Sequence, residues 1–116
     1  MDKSEIIELG NKYFLYFENK DILSLKNIYS NKIILTDPII KEVIGIENVL
    51  KVNRDFFKCS EKIKLYQKKI FVDYYTNTMI AELVIHFDKN IVNVIDIIEF
   101  NSDKKIIKIT AYFDSK

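Results

Sequence analysis

The chain has 116 residues, of which 48% are hydrophobic, and this size and composition fit one globular domain over residues 1–116. Its 18 basic and 17 acidic residues nearly cancel, so neither a nucleic-acid-binding stripe nor a basic membrane-binding face is indicated. No apolar stretch is long enough to span a bilayer, and the polar start at Asp2, Lys3 and Glu5 is unlike a signal peptide. We therefore expect a cytoplasmic protein that binds neither nucleic acid nor membranes.

Metal sites and disulfides are constrained by residue counts. The single cysteine, Cys59, excludes an internal disulfide and a cysteine-based zinc site. The single histidine, His86, excludes a histidine-rich metal site. Alternation along its strand places His86 with Glu82 and Val84, which favours the outer face of a sheet over a pocket. We expect no metal and no cofactor.

Three helices are predicted. Asp2 followed by Glu5 resembles a capping box and begins a helix that ends near Glu18. Gly10 lies on the apolar face of that helix, where the missing side chain lets another element approach closely. Residues 19–21 cap a second, short helix, and Gly45 begins a third. The predicted inward positions of the three helices are Ile6, Gly10, Tyr13, Phe14 and Phe17, then Ile22, Leu25, Ile28 and Tyr29, then Ile46, Val49, Leu50, Asn53 and Phe57.

The rest of the chain is strand-like. Strands are predicted near residues 32–36, 39–44, 62–73, 78–87, 91–100 and 105–113, with a hairpin turn at 101–103. Asp37-Pro38 ends the first strand, because proline cannot donate a ladder hydrogen bond. This order predicts an α+β fold, in which helices cover one face of a curved antiparallel sheet.

The other face of the sheet is predicted to be apolar as well. Ile95, Ile97, Ile107 and Ile109 place apolar side chains on both faces of the last two strands. A homodimer would bury such an outer face, and a wider layer of helices is the alternative.

Two acidic residues lie on apolar strand faces. Alternation through residues 91–100 puts Asp96 in one row with Val94, Ile98 and Phe100. An ionised carboxylate is costly to bury, so such a group is usually paired, hydrogen-bonded or protonated. Asp37 ends a second apolar run, residues 33–36. These two carboxyls indicate a functional site.

Three segments resemble the NTF2-like superfamily, in particular its SnoaL-like and ketosteroid-isomerase-like branch. They are residues 12–22, residues 29–38 with 45–47, and residues 94–101 with 105–113, so they are spread along the chain from the first predicted helix to the last predicted strand. The resemblance implies a cystatin-like, cone-shaped half-barrel that encloses an apolar pocket, usually in a homodimer.

The resemblance also implies roles for single residues. Asp37, in an Asp-Pro pair at a strand end, matches the catalytic base of the isomerases. Tyr13 on the first helix and Asp96 on a late strand match the two groups that hold the oxyanion. Asn53 departs from the pattern, because it stands where the well-known isomerases have a supporting tyrosine. The implied ligand-binding residues are Phe17, Tyr29, Asn53, Phe57, Ala111 and Phe113.

The implied function is that of a small-molecule pocket protein with isomerase-like proton transfer on a hydrophobic carbonyl compound. Two alternatives stay open: a non-catalytic domain that binds a ligand or regulates, and a dimeric interaction module with a filled core. Each catalytic candidate also fits a purely structural role. Asp37 can simply form a turn, Asp96 can bond a neighbouring group, and Tyr13 can be a core residue.

Overall fold

Three helices and six strands make up the computed structural model, which describes residues 1–114. The helices are α1 (Lys3–Glu18), α2 (Ile22–Ile28) and α3 (Ile46–Cys59). The strands are β1 (Tyr29–Asp37), β2 (Lys41–Ile44), β3 (Ile63–Asp73), β4 (Thr78–Phe87), β5 (Asn90–Phe100) and β6 (Ile106–Phe113). The first strand begins earlier than predicted, because Tyr29 already pairs with Ile106 of β6. Because these two residues are far apart in the sequence, no local sequence pattern indicates that they pair.

All six strands form one curved, unclosed sheet in the order β2-β1-β6-β5-β4-β3. The α+β class and the helix-covered curved sheet are confirmed. The sheet is not purely antiparallel, however, because β1 and β6 run parallel. A parallel pair needs a long crossover connection, and here it consists of all the elements between these two strands. Register shifts in β1, β3 and β5 contribute to the curvature.

The predicted helix starts are confirmed, with one difference. Asp2 Oδ1 accepts a hydrogen bond from the backbone N–H of Glu5 at 2.9 Å. The Glu5 carboxylate does not return to the cap as a full capping box would, but pairs with Lys104 Nζ at 2.6 Å. Gly45 precedes α3 with φ at +95° and ψ at 146°, a region nearly restricted to glycine.

Gly10 does allow a close approach, as its place on the apolar face of α1 predicted. A Cβ atom added at Gly10 would lie 2.0 Å from Sδ of Met79 on β4. Both residues are buried. The missing side chain therefore sets how closely α1 packs against the sheet.

The core lies between the helices and the concave face of the sheet. Helix α1 contacts β3 and β4, and α3 contacts β1 and β2. No helix within residues 1–114 combines the length and apolar character needed to cross a bilayer. Fully buried side chains in this core include Ile6, Leu25, Ile33, Leu50, Met79, Leu83, Ile98, Ile106 and Ile109.

Candidate functional site

Asp96 lies on the concave face between two alanines. Its cross-strand partners are Ala81 on β4 and Ala111 on β6. Cross-strand partners project from the same face of a sheet, so all three residues point toward the helices. Because both neighbours have short side chains, the carboxyl of Asp96 projects beyond them toward the helices. Ala111 faces inward yet is only half-buried.

Asp37 continues the same row on the far side of Ala111. Thr36 of β1 pairs with Thr110 of β6, so Asp37 comes next to Ala111, one residue further along both parallel strands. Two strand spacings separate Asp37 from Asp96, which corresponds to roughly 10 Å between their Cα atoms. The sheet therefore brings the two predicted carboxyls to one face with Ala111 between them.

Asp96 belongs to a cluster of four buried polar residues. Tyr13, Tyr29, Asn53 and Asp96 are exposed by 6%, 3%, 5% and 6%, respectively. The ring centroids of Tyr13 and Tyr29 are 6.4 Å apart. The hydroxyl of Tyr29 donates a hydrogen bond of 2.8 Å to Asn53 Oδ1. The structure thus brings Tyr13 close to Asp96, with the hydrogen-bonded pair of Tyr29 and Asn53 beside them.

The pKa values in this cluster reflect burial first. Burial raises the pKa of Tyr13 well above its usual value, and the nearby Tyr29 and Asp96 raise it further. Burial also raises the pKa of Tyr29. The hydrogen bond to Asn53 lowers this pKa, and the charge of Asp96 raises it by a smaller amount than either of the other two effects. Both hydroxyls therefore keep their protons at neutral pH and can act as hydrogen-bond donors.

No residue in the described part of the chain acts as a counter-ion for the carboxyl of Asp96. Burial raises the pKa of Asp96 to about 7. No lysine or arginine side chain within residues 1–114 is buried, so no cation lowers this pKa from inside the core. Near neutral pH, protonated and ionised forms of Asp96 are both populated, and the protonated form can donate a hydrogen bond.

Asp37 holds a turn with one of its carboxyl oxygens. Its Oδ1 accepts hydrogen bonds from the backbone N–H groups of Ile39 at 2.8 Å and Ile40 at 2.7 Å. This is the structural role that an Asp-Pro pair at a strand end also predicts. Its Oδ2 makes no hydrogen bond to the described residues, and the side chain is half-buried. One oxygen therefore fixes the turn, and the other has no hydrogen-bond partner among the described residues.

Aromatic rings extend from Tyr13 along the inside of the cone. Phe17 lies 6.0 Å from Tyr13, 5.1 Å from Phe57 and 5.7 Å from Phe56, measured between ring centroids. Phe56 in turn lies 5.5 Å from Phe87. Phe17 and Phe57 were predicted from sequence, whereas Phe56 and Phe87 were not. Alternation along β4 could have identified Phe87, since it shares the inward face with the buried Leu83.

Two surface depressions lie elsewhere. One, of about 480 Å³, runs along the solvent-facing side of α1 near Ile7 and Leu15. Another, of about 490 Å³, lies on the outer side of the sheet around Ile95 and Tyr112. Neither includes Tyr13, Asp37 or Asp96, so the apolar pocket around them stays a prediction. Within residues 1–114, no group of three or more His, Cys, Asp or Glu side chains could hold a metal ion.

Comparison by sequence gives no match to a family model and no significant match to a curated protein. Comparison by structure, in contrast, gives matches to solved structures. A SnoaL-like protein of unknown function from Burkholderia thailandensis has a TM-score of 0.83 at 11% identity, covering 98% of each chain. A Kribbella flavida protein, described provisionally as a ketosteroid isomerase, has a TM-score of 0.82 at 11% identity, covering 97% of this chain and 80% of its own.

A designed protein shares the architecture too. A de novo protein with a curved β-sheet has a TM-score of 0.82 at 18% identity, covering 99% of this chain and 89% of its own. Identities this low establish the fold and leave the chemistry to the site. Other matching structures are described as NTF2-like and as having a cystatin-like fold. The chain therefore has the NTF2-like, cystatin-like fold that SnoaL-like proteins share, as the resemblance of its sequence predicted.

Proposed function

We propose that this protein binds a small hydrophobic carbonyl compound on the concave face of its sheet and isomerises it by proton transfer, without a cofactor. The observation that carries the proposal is the convergence of Tyr13 and Asp96, two hydrogen-bond donors, at one buried point opposite Asp37. The apolar rings around them suit a hydrophobic substrate. A steroid is not implied.

Each group has one task in the reaction. Asp37 removes a proton from the carbon between the carbonyl and the β,γ double bond, and the electron pair moves toward the carbonyl oxygen. The O–H groups of Tyr13 and protonated Asp96 donate hydrogen bonds to the dienolate oxygen. Asp37 then returns the proton to the γ-carbon, which gives the conjugated ketone. The two aspartate Cα atoms lie roughly 10 Å apart with Ala111 between them, so the proposal requires one small carbon skeleton to lie over Ala111.

A non-catalytic ligand-binding domain is the second candidate. The hydrogen bonds from Ile39 and Ile40 to Asp37 favour it, because they account for this aspartate through the turn alone. The two candidates differ in what they require of Asp37 Oδ2. Catalysis needs it as a base, and simple binding does not.

Asp37→Asn separates these candidates. Asparagine keeps the Oδ1 acceptor that holds the turn but cannot accept the substrate proton, so we expect a rate loss of about 10²-fold to 10⁴-fold. The assay is isomerisation of cyclohex-3-enone, followed by the ultraviolet absorbance of its conjugated product. Asp73→Asn is the matched control, because Asp73 also ends a strand and holds a turn, through the N–H of Tyr75 at 3.1 Å. Equal rates for wild type and Asp37→Asn would remove Asp37 as the base.

We also propose that the outer face of the sheet pairs with a second copy of the chain. This face exposes Tyr66, Phe71, Ile91, Ile95 and Tyr112 by 42% to 66%. Lys68 and Glu82 line the same depression as Ile95, so a two-fold axis can bring the lysine of one copy to the glutamate of the other.

Light scattering after size-exclusion chromatography tests this pairing. We expect the wild type to show twice the mass of one chain and Ile95→Lys to show one chain mass, because a charge in the centre of an apolar interface is costly to bury. Leu23→Lys is the control, since Leu23 is 76% exposed but lies on α2. A wild type with the mass of one chain at high concentration would contradict the proposal.

A further inference from the structure

Within residues 1–114, no ion pair joins a basic side chain to the acidic groups of the concave face. Asp96 is only 6% exposed, and Asp37 lies beyond Ala111 in the same row. Every lysine and arginine within residues 1–114 is exposed or half-buried. A carboxylate buried without a counter-ion is unfavourable, so a ligand that brings a positive charge gains free energy by pairing with it.

The hydrogen bonds of the cluster leave acceptors facing the interior. The hydroxyl of Tyr29 gives its one proton to Asn53 Oδ1, so its oxygen is left as an acceptor. An ionised Asp96 is an acceptor only, and the hydroxyl oxygen of Tyr13 can accept as well. Together these three residues offer oxygen acceptors for three donors. A primary ammonium group carries three N–H donors and no acceptor.

The walls of the site also suit an organic cation. The rings of Phe17 and Tyr29 lie 6.0 Å and 6.4 Å from the ring of Tyr13. Aromatic faces attract cations, more strongly where water is excluded. Ala111, which lies beside Asp96 on the same face, is only half-buried.

We infer that this cluster also binds a small hydrophobic ammonium ion, a protonated primary amine, between the Asp96 carboxylate and the oxygens of Tyr13 and Tyr29. This ligand class goes beyond the proposed ketone chemistry, although it uses the same residues. The ketone needs Asp96 protonated as a donor, whereas the ammonium needs it ionised. The two ligand classes therefore have opposite pH dependence.

The charge change can be assigned to one residue of the cluster. Around Asp96, α1 contributes Tyr13 and β1 contributes Tyr29, whose pKa values are both raised, so both stay neutral near pH 7. The neighbour from α3 is Asn53, which does not titrate, and Asp37 is the other acidic group on this face. Burial raises the pKa of Asp96 to about 7, so its charge changes in the range to be tested.

Isothermal titration calorimetry with benzylammonium tests the inference. Benzylamine stays protonated at about pH 5.5 and about pH 8.5, as a lysine amine does. Because the pKa of Asp96 is about 7, we expect binding at about pH 5.5 to be roughly 30-fold weaker than at about pH 8.5. At the lower pH, one proton should be released on binding, detected as a dependence of the measured heat on the buffer. Benzyl alcohol, the neutral probe of similar shape, should bind equally at both pH values.

Asp96→Asn should lose benzylammonium binding and keep benzyl alcohol binding, which also shows that the variant is folded. Asp103→Asn, which changes an exposed aspartate in the β5–β6 turn, should bind both probes as the wild type does. The inference is overturned if benzylammonium binds equally at both pH values, binds Asp96→Asn unchanged, or fails to bind the wild type. If benzylammonium fails while ketone isomerisation still depends on Asp37, the inference falls and the proposed function stands.

Discussion

Asp96→Asn is expected to raise the free energy of unfolding at about pH 8 by about 3 kcal/mol and to lower it at about pH 4 by about 1 kcal/mol. The pKa of Asp96 is about 7 in the folded protein because the carboxyl is buried. In the unfolded chain the carboxyl has its ordinary pKa of about 3.9. Between these two values the folded state binds one more proton than the unfolded state, so stability falls as the pH rises.

The size of the effect follows from the width of that interval. The loss is about 1.36 kcal/mol per pH unit, or roughly 4 kcal/mol in all, and it is complete once the pH passes the folded pKa. Asparagine has nearly the same shape and no charge, so the variant escapes this loss. Its amide must still be accommodated without a hydrogen-bond partner, which is why we expect somewhat less than the full gain.

Urea denaturation at several pH values between about 4 and 9 measures the effect in both proteins. Asp55→Asn is the control, because Asp55 is exposed on α3. It should follow the wild type throughout. Parallel curves for wild type and Asp96→Asn would show that Asp96 does not titrate near neutral pH in the folded state.

Met79→Ala is expected to cost about 3 kcal/mol in the wild type and to reverse the sign of Gly10→Ala. In the wild type, a Cβ at Gly10 would meet Sδ of Met79 at 2.0 Å. Over-packing of this kind costs about 1–3 kcal/mol, which outweighs the gain of about 1 kcal/mol in helix propensity. Gly10→Ala alone should therefore destabilise the fold by about 1 kcal/mol.

Removing the Met79 side chain opens the space that the new methyl group needs. In the Met79→Ala background, Gly10→Ala should stabilise by about 1 kcal/mol, a coupling of about 2 kcal/mol between the two sites. Urea denaturation of the four proteins gives the double-mutant cycle. A coupling near zero would mean that α1 and β4 are not held together at this contact.

Local patterns in the sequence predicted most of the fold. Alternation through residues 91–100 placed Asp96 inward, and the helical stripe of α1 placed Tyr13 and Gly10 inward; all three are buried there. These patterns work because burial follows the period of each element. The parallel pairing of β1 with β6 was missed, since no local pattern records which distant strands become neighbours.

Sequence patterns predicted which residues belong to the candidate site, but not the hydrogen bonds that these residues make. Tyr29 and Asn53 were both predicted to line the pocket, yet their hydrogen bond joins two residues 24 positions apart and depends on how α3 lies over β1. The two hydrogen bonds to Asp37 likewise show that one oxygen of the predicted base is already used by a turn. Such contacts depend on how whole helices and strands pack against one another, and the periodicity of the sequence carries no information about that packing.

The parallel pairing of β1 with β6 also bears on how the protein folds during synthesis. β1 is made early, but its neighbour β6 is the last of the six described strands to be made, so β1, β2 and α3 cannot join the rest of the sheet until β6 has formed. β3, β4 and β5, in contrast, can pair as they are made, because each neighbours the next in sequence. Pairing across so long a stretch of chain is slow, so the docking of β1 on β6 is expected to limit the folding rate.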